Sequence, residues 1–83
     1  MSYSLGYDAH DSMEKALPVA CIEAEYEYLA RHAAVHFAMR DAFPYKQRVS
    51  IRGSRTFDTL FLELPDGSTR EYWFDITSFF GKD

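Results

Sequence analysis

The stretch Thr56-Phe57-Asp58-Thr59-Leu60-Phe61-Leu62-Glu63-Leu64-Pro65-Asp66-Gly67-Ser68-Thr69-Arg70-Glu71-Tyr72-Trp73-Phe74-Asp75-Ile76-Thr77 decides the fold of this chain. Its two flanks are rich in aromatic, β-branched and leucine side chains, which suit a pleated, half-buried surface. Between them, Pro65 presets φ and Gly67 accepts positive φ, so the flanks are predicted to pair as a hairpin. In the first flank Phe57, Thr59, Phe61 and Glu63 point one way, and Asp58, Leu60, Leu62 and Leu64 the other. In the second, Tyr72, Phe74 and Ile76 oppose Glu71, Trp73, Asp75 and Thr77. Two registers are open. A two-residue loop pairs Phe61 with Tyr72 and Leu60 with Trp73; a three-residue loop with a bulge pairs Leu60 with Tyr72 and Thr59 with Trp73.

Working outward, Val49 and Ile51 alternate with Arg48, Ser50 and Arg52 before Gly53-Ser54 turns the chain, which adds a strand ahead of the hairpin. Further upstream, Val19, Ile22, Tyr26, Leu29, Ala30, Ala33 and Phe37 recur at three- and four-residue steps. They form one apolar stripe on a helix expected from about Pro18 to Asp41. Glu23, Glu27 and Arg31 lie opposite, and Phe43-Pro44 marks the helix limit because a residue before proline avoids α geometry. Asp11 and Glu14 have capping-box spacing, which places a short turn near residues 11–16. In residues 1–9, Tyr3, Leu5 and Tyr7 alternate as in an edge strand, with a frayed terminus as the alternative. The expected fold class is α+β: one long helix on a three-stranded antiparallel β-meander, in the order α-β-β-β.

Eighty-three residues make a single domain, 1–83, close to the size at which one core is only just sufficient. Seven Phe, six Tyr and one Trp are more aromatic surface than so small a core readily holds. The lone cysteine, Cys21, excludes an internal disulfide. The N-terminus has neither the basic nor the apolar region of a signal peptide, and no apolar run is long enough to span a membrane. The cytoplasm is the expected compartment.

The net charge of −4 resides entirely in residues 1–45, whereas residues 46–83 balance to zero. Within the neutral half, Lys46, Arg48, Arg52 and Arg55 form a run without an acid. Direct nucleic-acid binding through phosphate neutralisation is therefore not expected of the whole surface. The basic run has two readings. It can protect an edge strand from aggregation, or it can contact an acidic protein surface, a phosphate backbone or the acidic helix of a second copy.

No stretch carries a catalytic or cofactor signature. His32 and His36 have the i,i+4 spacing of a zinc pair, but Glu25 lies about 10 Å away along the helix axis, too far to converge with His32. They read as rim histidines beside the core stripe. Cys21 would need a base, and His32 is about 16 Å along the helix, which leaves His10; a small, partly buried hydrophobe is the simpler reading. Asp58 and Asp75 face each other in one hairpin register, where a solvated rim costs less than joint burial.

The sheet carries the functional signal. One helix covers one face, so the other should expose Leu60, Leu62 and Trp73, or Phe57, Phe61 and Trp73, according to register. Such a patch marks an interface unless residues 1–9 or the tail Ser78-Phe79-Phe80-Gly81 fold over it. The expected function is that of a non-enzymatic interaction protein, a regulator or inhibitor acting by surface occupation. Its partner would be another protein, such as a nucleic-acid-handling complex, and phage or plasmid counter-defence is a fitting setting. Trp73 would anchor, with Glu23, Glu27, Arg48, Arg52 and Arg55 at the rim. The alternatives are a homodimer packed through the exposed sheet face and a small hydrolase or metal protein using Cys21, His10, His32 or His36. With no metal site expected, chelator treatment should leave the melting temperature unchanged; a fall reversed by zinc would identify the histidine pair as ligands.

Overall fold

The computed structural model describes residues 5–81. After a single 3-10 turn at Met13–Lys15, the chain forms β1 (Leu17–Pro18), α1 (Ile22–Phe37), β2 (Lys46–Arg52), β3 (Arg55–Glu63) and β4 (Thr69–Asp75). The sheet has four strands in the order β1-β4-β3-β2. It is mixed, because β1 runs parallel to β4 while β2, β3 and β4 form an antiparallel meander. The expected α+β class holds, and the sheet gains a strand that the meander did not include.

Pro18 explains both that strand and the late start of the helix. Proline cannot donate to a ladder, so it suits an edge position, and β1 is the outermost strand on its side. Leu17 and Pro18 are thereby extended, the chain bends at Ala20 and Cys21, and α1 begins at Ile22 behind Cys21, whose side chain makes no capping hydrogen bond. The helix stops at Phe37, four residues before the expected limit. There Ala38 takes the left-handed conformation (φ 54°), and its N–H turns back to the Ala33 carbonyl. Likewise, Ser12 precedes the short turn without a side-chain cap, so the capping box at Asp11 and Glu14 does not form.

The hairpin adopts the three-residue-loop register: Leu60 pairs with Tyr72 and Thr59 with Trp73. Leu64 N–H donates to the Ser68 carbonyl at 2.8 Å, and Gly67 between them has φ +89°. This register sends Leu60, Leu62, Tyr72 and Phe74 toward the helix. There they form the core with Leu17, Tyr28, Leu29, Ala33 and Ile76. Asp58 and Asp75 do not meet, since Asp58 pairs with Phe74 and Asp75 with Phe57 on opposite faces.

The buried face of α1 comprises Glu25, Tyr28, Leu29, His32 and Ala33. It is rotated from the apolar stripe, so that Leu29 and Ala33 are shared while Ile22 stays 53% exposed. Polar side chains replace apolar ones because each meets a specific partner. His32 donates from Nε2 to the Gly6 carbonyl and accepts at Nδ1 from Tyr72 Oη, both at 2.8 Å. One turn on, His36 donates from Nε2 to the Leu5 carbonyl. Arg70 donates to the Tyr7 carbonyl, lies 4.6 Å from the Tyr7 ring centroid, and approaches Asp8 at 3.7 Å. The N-terminal segment from Leu5 is thus tied to the helix and to β4, neither frayed nor a strand. Tyr3, part of the alternation expected there, lies outside the described residues. At the other end, Phe79 packs against the helix-side core and Ser78 Oγ donates to the Val19 carbonyl, so the tail does not cross to the opposite face.

Ala38 is a specific test of the helix terminus. A left-handed conformation is strained for any residue with a Cβ and free of that strain for glycine. Ala38→Gly should therefore raise stability by about 0.5–1 kcal/mol, read as a rise in melting temperature. A fall would show that the left-handed terminus is not formed.

Candidate protein-binding surface

The face of the sheet away from α1 carries Phe57, Thr59, Phe61 and Trp73, as this register requires. It is not an open apolar patch. Phe57 and Phe61 are 1% and 9% exposed, and Trp73 is half-buried. Their cover is the basic run itself. Lys46 and Arg48 each bring their charge 5.3 Å from the Phe61 ring centroid, and Arg55 lies 4.9 Å from that of Phe57. These are cation–π distances, and the aliphatic stems lie along apolar surface as the heads reach water. Trp73 packs edge-on against Phe57 and donates from Nε1 to Glu71 Oε1 at 2.8 Å. Arg55 also pairs with Asp75 at 2.8 Å. Burial acts to raise the Asp75 carboxyl, but hydrogen bonds from Thr77 and Arg55 outweigh it and hold the group below its ordinary range. Leu60 and Leu62, named with Trp73 for the other register, are core residues at 0% and 1% exposure. Glu23 and Glu27 stay exposed on the helix, with Glu27 3.4 Å from Arg31.

Exposed apolar surface lies instead on the helix side, over β2. Val49 and Ile51 point to that side and are 44% and 61% exposed, because α1 lies over the other strands. Ile22 and Tyr26 form the neighbouring flank of the helix, and Tyr26 stacks at a tilt on Phe43, itself 71% exposed, with ring centroids 5.2 Å apart. Tyr45, leading into β2, is 58% exposed but belongs to the other face, its ring centroid 6.5 Å from that of Phe61. Periodicity named Val49 and Ile51 as strand residues, but only the lateral offset of the helix leaves them uncovered.

β2 is also the open edge of the sheet. Which of its backbone groups face outward follows from the hairpin. Leu64 bonds to Ser68, and Ile76 N–H donates to the Thr56 carbonyl, so the even residues of β3 bond to β4. Antiparallel ladders alternate. The odd residues of β3 therefore bond to Lys46, Arg48 and Ser50, and a bulge, in which Tyr45 N–H also reaches the Phe61 carbonyl at 2.9 Å, begins that ladder. The N–H and C=O groups of Gln47, Val49 and Ile51 are left at the open edge, where no described strand pairs with them.

Under this flank lies a buried pair of carboxyls that the sequence pattern did not suggest. Glu25 and Asp58 are 0% and 2% exposed. Asp58 Oδ2 accepts from Gln47 Nε2 at 2.7 Å, while both Glu25 oxygens lack a donor. Burial, and then the proximity of Asp58, push Glu25 up to about 9, so at neutral pH it holds a proton that Asp58 can accept as a hydrogen bond. The Tyr26 hydroxyl is raised by burial and by the same two acids. Both carboxyls are closed off from solvent and form a structural contact between helix and sheet.

The remaining candidates do not converge. Among the described residues, no three His, Cys, Asp or Glu side chains group as metal ligands. His32 and His36 are both engaged with the N-terminal segment, and burial lowers the His32 pKa below its ordinary value. Cys21 is exposed at the helix start, and no hydrogen bond joins its sulfur to a histidine among the described residues. His10 donates from Nδ1 to the Lys15 carbonyl and packs on Tyr28 beside a shallow hollow of about 420 Å³. No helix among the described residues is long and apolar enough to cross a membrane. Comparison with protein-family models, curated proteins and solved structures gave no match.

The carboxyl pair sets a pH dependence. Unfolded Glu25 loses its proton near 4.5, whereas the native group keeps it to about 9, so its contribution to stability declines as pH rises between those values. His32 acts oppositely. Its native pKa is lowered, the unfolded state protonates first near 6.5, and stability declines as pH falls below that point. Glu25→Gln supplies a permanent donor to Asp58. At pH 8–9 it should stabilise the fold by about 1–3 kcal/mol, the scale for relieving a buried unsatisfied group, with little gain near pH 5. Thermal melts across pH check this, and a gain independent of pH would refute the assignment.

Proposed function

We propose that this chain is a non-enzymatic interaction protein, a regulator or inhibitor that occupies the surface of another protein. The observation that carries the reading is the uncovered apolar flank of Ile22, Phe43, Val49 and Ile51, which adjoins a strand edge that no described strand pairs with. Scattered apolar residues are ordinary on any surface, but apolar residues gathered at one sheet edge, beside backbone groups that no described strand pairs with, are a binding feature. An aromatic side chain such as Phe43 is of the residue type that anchors interfaces. Arg48 and Arg52 stand at the border of this flank and would govern the rate and salt dependence of association.

The anchor in this reading moves from Trp73 to the β2 flank. On the Trp73 face the rings of Phe57 and Phe61 are already covered, so a partner or a second copy would gain little apolar burial there. Small size, acidity and the lack of a cofactor signature fit a protein that works by occupation, and we place it in counter-defence of a phage or plasmid on those grounds alone.

Tagged protein should recover a partner from its native host, and the double variant Val49→Asp, Ile51→Asp should lose it. Both side chains are exposed, so the melting temperature should fall by no more than a few degrees. Equal recovery by the double variant, or no partner for the wild type, would defeat this reading.

A further inference from the structure

We infer that β2 binds its partner by strand addition, and that the added segment alternates acidic and apolar side chains; this rests on the interaction reading above. Three observations combine. The outward backbone groups of Gln47, Val49 and Ile51 are spaced to pair with an extended chain. On the helix side, Val49 and Ile51 are uncovered and offer apolar contact to alternate residues of that chain. On the opposite side, Lys46, Arg48 and Arg52 have no ion-pair partner among the described residues. Residues of an added strand lie directly beside those of β2 on each face. A segment whose side chains are apolar toward the helix and acidic toward Lys46, Arg48 and Arg52 complements both faces at once. The backbone ladder would supply affinity and the two side-chain rows specificity.

The basic row also disfavours a second copy as occupant. Two β2 strands related by a two-fold axis perpendicular to the sheet keep like faces together. Centring the pair on Val49 sets Lys46 opposite Arg52, and centring it on Ser50 sets Arg48 opposite Arg52. Either register stacks cations on one face, which is destabilising. An acidic strand relieves that repulsion.

The test selects from a displayed library of random twelve-residue peptides against the full-length protein. The peptides recovered should alternate acidic with apolar residues. Synthetic copies should bind wild type at least tenfold more tightly than Val49→Pro, whose lost N–H faces outward and is not part of the native ladder. Arg48→Glu with Arg52→Glu should weaken binding at low salt and favour peptides with lysine in place of the acids. Thermal melts establish that each variant is folded, and Val49→Asp supplies a second edge variant should the proline unfold the strand. Enriched peptides without the alternation, binding unaffected by these variants, or no enrichment would each overturn strand addition. So would dimerisation of the wild type through β2 in sedimentation. A host partner retained by Val49→Pro and not displaced by the peptide would overturn strand addition and leave the interaction reading standing.

Discussion

A single helix is too narrow to roof a four-stranded sheet, and most of this molecule follows from how the remainder is covered. Strands stand about 4.8 Å apart and a helix with its side chains is about 10 Å across. Here α1 lies over the side of the sheet nearer β4 and leaves β2 open. Its position is held by two contacts to the sheet. His32 receives the Tyr72 hydroxyl on β4, and Glu25 lies against Asp58 on β3. Burial raises the Tyr72 phenol to about 12, so it remains the donor in that bond through the neutral range.

Different parts of the sheet are then covered by different chemistry. Beside the helix, Leu5, Gly6 and Tyr7 are drawn in by His36, His32 and Arg70, which satisfy their carbonyls. A short segment is thereby ordered by directional bonds, together with Leu5 packed against the core and Tyr7 against Phe37. On the opposite face no helix or strand among the described residues packs. Phe57 and Phe61 are shielded by arginine and lysine side chains that belong to the sheet, with Trp73 alongside. The basic run thus covers aromatic rings, and Arg55 is also neutralised by Asp75. What is left over is the β2 flank, where exposed apolar groups coincide with a strand edge that no described strand pairs with and with cations that have no ion-pair partner among the described residues.

The buried carboxyl pair and the histidine clamp oppose each other in pH. Raising the pH works against Glu25, which must give up a proton in an apolar site, and lowering it works against His32, which must accept one. They are polar contacts between elements, and they restrict the range over which a small core stays folded.

Local order was legible in the sequence because it depends on near neighbours. The hairpin is written in Pro65, Gly67 and the alternation on either side, the helix in the three- and four-residue recurrence around Leu29 and Ala33, and the two hairpin registers in the length of one loop. The choice between those registers, the rotation of the helix and the location of exposed surface were decided only in three dimensions. Glu25, Tyr28 and His32 fall outside the apolar stripe, and the histidine reads as a rim residue. His32 is buried because Tyr72 and Gly6, remote in sequence, complete its hydrogen bonding, Glu25 because burial beside Asp58 keeps it neutral, and Tyr28 because the Tyr72 and Phe74 rings pack on it. Pro18 reads as a helix-start residue until β4 offers an edge on which it can lie extended. Val49 and Ile51 look like half-buried strand residues until the lateral placement of α1 leaves them bare. Alternation and helical period are properties of a few consecutive residues; burial depends on which distant segment arrives to complete each contact.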